Sequence, residues 1–378
     1  MQASITLGVC CVIVSSLCAS VPRERVLWAI DRLEESVNER DLGAYMSLVD
    51  PADQVFVTEQ RAWFADLQRN PVEMFSIEPV GSIASSSDPR LVSITKNIRI
   101  NWALKADGIE RSIEFAAQFE PVSDHTDGPW RYAGRDWGTA LSTDSGLRVF
   151  ADDKQHGLAL RVLDIVPNIQ SAIEHDIAQQ LSVPLTIKSY EHMADLQFSI
   201  SMGYLDPIAG WNEPGESIKI LGREDVSTAR LSSLLAHEIG HAVSFEYGQQ
   251  IINAPWWTLE GIAELVSMPY QERTFEERQL SAAKRLAKGD RRTWDQLSDF
   301  KGEALNHASY VYWQGWSMVQ YISDRFGVDA RNEWFIQMGQ GKTVQQATQI
   351  VLGLSMETLD REWELAIVSL LDSQTQSP

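Results

Sequence analysis

The apolar positions along the chain change period three times, and each change marks a different kind of element. Val26, Ile30, Leu33 and Val37 recur at spacings of three and four between charged residues, which predicts helix over 24–49. Asp41 is placed to cap a second short helix within that stretch, and a third helical piece is predicted over 60–68. Strand-like segments follow at 74–79, 91–104, 110–121 and 130–136. Turns are predicted at Lys105 to Gly108 and at Asp124 to Pro129. Leu141 to Gly146 reads as a linker. Beyond it come a short strand at 147–151 and a long amphipathic helix over 157–181, with Pro167 as a point of interruption. Strands at 184–190 and 217–221 and a helix over 226–247, ended by Gly248, come next. The remainder is almost wholly helical.

Helices followed by an antiparallel meander, then a small mixed sheet followed by a helical bundle, give an α+β fold class. Its length of 378 residues favours two domains: an α+β unit over 22–145 and a second over 146–372. The first resembles the cone-shaped nuclear-transport-factor-like fold, in which a curved sheet wraps an N-terminal helix.

The first twenty residues carry no charge, are dominated by Leu7, Val9, Val12, Ile13, Val14 and Leu17, and end in Cys18, Ala19 and Ser20. This reads as a secretory signal peptide over 1–20, cut near residues 18–21, with an uncleaved N-terminal anchor as the alternative. No Lys or Arg precedes the apolar run. All three cysteines (Cys10, Cys11 and Cys18) lie in it, so the mature chain has no thiol for a disulfide, a metal or a nucleophile. The expected location is secreted, periplasmic or on the exterior of the cell envelope, with no stable membrane insertion after cleavage. A formal net charge of -20 would repel nucleic-acid phosphates and anionic membranes.

The chemistry centres on His237, Glu238, Ile239, Gly240 and His241. Two histidines four apart share one helix face, so both imidazoles can reach one metal ion. Glu238 stands beside them and can hold a water on that metal. The surrounding helix is apolar at Leu231, Leu234, Leu235, Ile239 and Val243, which predicts burial. Eighteen residues separate His241 from Glu260, within Pro-Trp-Trp-Thr-Leu-Glu-Gly-Ile-Ala-Glu over 255–264. Hydrolytic zinc takes three protein ligands and keeps a fourth position open, so Glu260 can be the third. Glu264, one turn on, either accepts the other ring N–H of His237 or lies on the helix surface.

His-Glu-x-x-His, eighteen residues, then Glu in a Trp-x-x-Glu-Gly-x-Ala setting resembles the gluzincin clan of metallopeptidases. It is nearest to the peptidase MA-like group related to the aminopeptidase catalytic domain. The Tyr312 to Ile322 helix, the Gly-Leu-Ser segment from Gly353 to Trp363, and Ala209 to Ile220 resemble further parts of that group, so the likeness covers roughly 147–370. It implies one zinc ion on His237, His241 and Glu260, with Glu238 as general base. It also implies an oxyanion-stabilising phenol from Tyr312, with Tyr310 as the alternate, and a peptide or protein substrate. The Gly-x-Met-x-Asn motif that grips a substrate N-terminus in aminopeptidases is absent, so endopeptidase and other exopeptidase modes stay open. His307 could touch substrate or serve packing, and His125, His156, His175 and His192 read as structural. Glu213 and Glu216 read as solvated loop carboxylates, and Arg325 as a surface or dipole-pairing residue. The competing reading is a non-catalytic zinc-containing protein whose N-terminal domain binds a ligand or partner.

Overall fold

The computed structural model describes residues 8–85, 93–122, 129–300 and 303–374. Its architecture is mixed α+β, with an antiparallel sheet near the N-terminus and a helical C-terminal region. The first unit comprises helices α1 (Gly8–Glu39), α2 (Leu42–Ser47) and α3 (Gln54–Asp66). Strands β1 (Val72–Ser85), β2 (Ile94–Leu104), β3 (Glu110–Pro121) and β4 (Trp130–Arg135) follow. They pair in sequence order as an antiparallel meander. Alternation on β2 buries Ile94, Ile98, Ile100 and Trp102 against α1 and α3.

The helix predicted over 24–49 breaks at Arg40, whose φ is 57°. Asp41 then caps α2 by accepting from the Ala44 amide at 2.9 Å. The third helix starts six residues earlier than the pattern suggests, because the Asp53 side chain accepts from the amides of Val55 and Phe56. Of the stretch read as a signal peptide, residues 1–7 lie outside the described residues and 8–20 continue α1. Among the described residues no helix is long and apolar enough to cross a membrane. The predicted turn from Asp124 and the start of the 91–104 strand fall largely outside the described residues, as does His125.

The second unit opens with β5 (Thr139–Ser142), β6 (Arg148–Ala151), α4 (His156–Ile177), β7 (Thr186–Tyr190), α5 (Met193–Ile200), β8 (Gly210–Trp211) and β9 (Ile218–Leu221). These strands form one sheet in the order β5-β6-β7-β9-β8. The segment read as a linker at 141–146 is a hairpin. Leu141 and Ser142 pair with Val149 and Arg148, and the Gly146 amide closes the turn onto the Thr143 carbonyl. The second sheet therefore starts at Thr139. Helix α4 passes through Pro167 without interruption. Its buried stripe of Leu158, Val162, Val166, Ile169, Ile173 and Ile177 offsets the hydrogen bond that the proline removes.

Among the described residues seven α-helices follow: α6 (Thr228–Ser244), α7 (Trp256–Ser267), α8 (Phe275–Leu286), α9 (Ala308–Phe326), α10 (Val328–Gly339), α11 (Val344–Ala347) and α12 (Met356–Gln374). They share one core with the second sheet.

The two units are joined by polar pairs that range from half-buried to buried. Asp53 at the start of α3 pairs with Arg148 of β6 at 2.8 Å. Arg135 of β4 reaches Asp152 and Asp195 at 3.1 and 2.9 Å. Glu59, 5% exposed, binds Lys188 of β7 and also accepts from the Ser217 amide at 3.1 Å. Burial alone would raise the Glu59 pKa. The charges of Lys188 and Lys219 outweigh it and hold the carboxyl at about 2.

Candidate metal centre

Ser227 caps α6 by accepting from the Arg230 amide, which starts the helix one turn before its buried face begins. Leu231, Leu235, Ala236, Ile239 and Val243 bury that face and fix its rotation. His237 and His241 therefore share the flank that faces α7. Gly240 allows the two helices to approach: a Cβ there would lie 2.7 Å from Val266 Cγ2 and 3.1 Å from Ala263 Cα. At that crossing α7 delivers Glu260 between the histidines.

The Nε2 atoms of His237 and His241 are 3.2 Å apart. Glu260 Oε2 lies 3.2 Å from the first and 3.5 Å from the second. A tetrahedral zinc ion with bonds of ~2.0–2.1 Å needs donor atoms ~3.3–3.4 Å apart, so the three atoms stand at the edges of such a site. Glu260 Oε2 is also buried with no hydrogen-bond partner, though two ring nitrogens are within reach. A buried carboxylate oxygen without a well-formed hydrogen bond needs positive charge beside it, which a metal ion or a protonated imidazole supplies. The donor set thus fits zinc. Among the described residues these three form the one group of this kind.

Partners behind the ligands fix their orientation. Trp256 Nε1 donates to Glu260 Oε1 at 2.7 Å and leaves Oε2 toward the histidines. Glu264 Oε1 stands 3.3 Å from His237 Nδ1, and Arg278 donates to Glu264 Oε2 at 2.6 Å. Of the two roles open for Glu264, the geometry selects the one that orients His237. Burial pushes the Glu264 pKa up, but His237 and Arg278 outweigh it and hold it at about 2. Without a cation, burial disfavours a charged His237 ring, yet Glu260 and Glu264 together raise its pKa well above the ordinary range.

Glu238, 5% exposed, points from α6 into a cleft of about 1050 Å³ that also receives His237, His241, Glu260 and Tyr312. Burial raises its pKa, and the neighbouring histidines only partly oppose this. A carboxylate made more basic in this way is suited to taking a proton.

Tyr312 of α9 lines the same cleft, its ring 6.1 Å from His237 and 6.3 Å from Trp256. Burial, reinforced by the charges of Glu260, Glu238 and Glu264, raises its pKa strongly, so the phenol stays a proton donor. Tyr310 faces elsewhere. Its hydroxyl donates to Asp290 at 2.7 Å and its ring lies under Arg292. Two residues along a helix rotate a side chain by about 200°, so one phenol alone can enter the cleft.

His307 packs edge-on against Tyr310 and does not line the cleft. Glu213 does line it. Glu216, read as a solvated loop carboxylate, instead pairs with buried Lys219 at 2.8 Å, because the β8–β9 turn folds it inward. Arg325 pairs with Glu362 of α12 at 2.9 Å.

Sequence reasoning gave no role to Trp256, Arg278, Tyr204 or Asn212. Trp256 was legible in principle, since it lies four residues before Glu260. The others come from distant segments. Burial, followed by the charges of Asp206 and Glu260, pushes the Tyr204 phenol up to about 12. Asn212 Nδ2 donates to the Glu238 carbonyl at 3.3 Å and ties the β8 edge to α6. No protein-family model and no curated protein sequence matches the chain.

Proposed function

We propose that the protein is a zinc metallopeptidase of the gluzincin type, acting outside the cytoplasm on peptides or proteins. One observation carries this reading. Three ligand atoms stand at tetrahedral spacing beside a buried glutamate in a cleft large enough for a chain segment. A zinc ion held there supplies an acidified water near ~pH 7 and a Lewis acid for the scissile carbonyl. Glu238 takes the proton from the attacking water and passes it to the leaving amine. Tyr312 donates its phenolic hydrogen to the oxygen on which negative charge grows. Glu264 holds the His237 ring in the tautomer that offers Nε2, with Nδ1–H toward the carboxylate.

The nuclear-transport-factor-like likeness of the first unit and the gluzincin likeness of the second belong to the same proposal. They are supported by the order of helices and meander and by the helix pair that carries the ligands. So does the export route, which rests on the N-terminal apolar stretch and the cysteine-free remainder.

The competing reading, a ligand-binding first unit on an inactive scaffold, has a cavity in its favour. It lies inside the first unit against β7 and measures about 180 Å³. That is below the ~300 Å³ of typical small-molecule sites. Its charged lining residues are already paired: Asp53 with Arg148, Glu59 with Lys188, and Arg135 with Asp152 and Asp195.

The decisive experiment is metal analysis of the purified chain followed by an unbiased peptide-library digest. One zinc per chain with cleavage lost on chelation supports the proposal. One zinc per chain with every peptide intact would assign the protein to the inactive class.

A further inference from the structure

Tyr204 belongs to the second unit by sequence, yet the first unit grips the residues leading to it. Phe198, near the end of α5, packs its ring against Trp63 of α3 and Trp102 of β2 at 5.4 and 5.1 Å. Two indole N–H groups of the first unit hold the same backbone: Trp63 donates to the Phe198 carbonyl at 2.9 Å, and Trp102 to the Met202 carbonyl at 3.3 Å. Met202 is 2% exposed and counts among the core side chains of the first unit, not the second. Gly203 then passes Asn70 so closely that a Cβ would lie 2.5 Å from Asn70 Nδ2. The strap 198–203 is thus fixed by three residues of the first unit, Trp63, Trp102 and Asn70.

What emerges from the strap is the cleft wall. The half-buried Tyr204 ring meets Trp211 of β8 edge-on at 5.1 Å. Trp211 continues to Phe300 at 6.1 Å, Phe300 to Trp256 at 4.7 Å, and Trp256 to Tyr312 at 6.3 Å. All five rings line the cleft that holds the metal ligands. A continuous aromatic belt beside a hydrolytic centre offers π-faces and apolar area to a substrate side chain, and little to a charged or absent one.

We propose that the first unit completes the cleft by holding Tyr204 in this belt, and that the belt selects a bulky apolar or aromatic side chain beside the scissile bond. This rests on the metallopeptidase reading and names its substrate class. Tyr204 is then a substrate-contacting residue, while Trp102 and Asn70 are positioning residues that act through the strap.

Binding without turnover tests it. Zinc-loaded full-length Glu238→Gln protein is titrated with two short labelled peptides that differ only in Phe or Gly at the central position, read by fluorescence anisotropy. The Phe peptide is expected to bind about tenfold more tightly. Adding Tyr204→Ala should remove most of that preference at unchanged zinc content. Adding Trp102→Phe instead, which keeps an apolar ring but deletes the N–H, should raise amide exchange over 198–204 and erode the preference in the same direction. A Tyr204→Ala protein that keeps the Phe preference overturns the belt. Unchanged exchange in Trp102→Phe, or faster exchange with an intact preference, overturns the link to the first unit. If neither peptide binds while the wild-type chain cleaves peptides, the belt assignment alone fails. If neither binds and nothing is cleaved, the metallopeptidase reading fails with it.

Discussion

Trp256 and Glu260 lie one turn apart on α7, and the indole N–H of the first donates to Oε1 of the second at 2.7 Å. The bond occupies one carboxylate oxygen and leaves Oε2 buried and facing two histidine nitrogens at 3.2 and 3.5 Å. In the proposed zinc site this arrangement would favour ligation through Oε2 alone. Trp256→Phe should therefore keep the fold and weaken zinc binding about 10- to 100-fold, the usual cost of losing a partner behind a ligand. Competition with a chromophoric chelator measures this directly. His241→Ala should abolish stoichiometric zinc, and full metal content in that variant would remove His241 from the ligand set.

Glu238 makes the opposite prediction, because it touches the cleft and is outside the ligand set. Glu238→Gln should retain one zinc per chain while turnover of a cleavable peptide falls at least about 10²-fold. Normal turnover in that variant would show that another group takes the proton.

The Tyr312 phenol is held protonated by burial and by the nearby carboxylates. Tyr312→Phe should lower kcat about 10²- to 10³-fold with a much smaller change in KM, since the hydrogen bond forms mainly to charge that grows in the transition state. The same substitution at Tyr310 breaks its bond to Asp290, remote from the cleft, and should leave kcat within a few-fold of the parent. Reversal of these two results would exchange the assignments.

The buried pair of Glu59 and Lys188 gives the fold a pH dependence. The Glu59 pKa is about 2 in the folded chain against an ordinary 4.5. A depressed carboxyl binds fewer protons folded than unfolded, so its contribution is full above the ordinary value and is lost as pH falls toward about 2. Denaturant midpoints should drop between about pH 5 and pH 2, and Glu59→Gln should flatten that slope. The substitution leaves Lys188 buried without its counter-charge, at a cost of about 3–5 kcal/mol at neutral pH. An identical slope in parent and variant would show that Glu59 is not the titrating group. Glu260 and Glu264 are also depressed, so both proteins are compared metal-free and the Glu59 share is read from the difference between their slopes.

The sequence alone determined the local part of this protein. His237 and His241 share a helix face because their spacing matches the helical turn, and the apolar stripe around them fixes which way they point. The meander was legible from alternation, and strand β3 runs over the predicted residues because both of its ends carry turn signals. The hairpin at 139–151 was missed, since Ser, Thr, Asp and Gly mark linkers and tight turns alike. Tertiary structure decided everything that depends on distance across the chain. Spacing permitted Glu260 to be a ligand, and the close crossing at Gly240 brings its oxygen to the histidines. Periodicity could not choose between Tyr310 and Tyr312, because both fit the helix; the packing of α9 turns one toward Asp290 and the other into the cleft. Nor could local pattern reveal that Trp102 and Asn70 hold the strap before Tyr204. Their contacts join residues roughly a hundred or more positions apart, and only the packed chain brings such residues together.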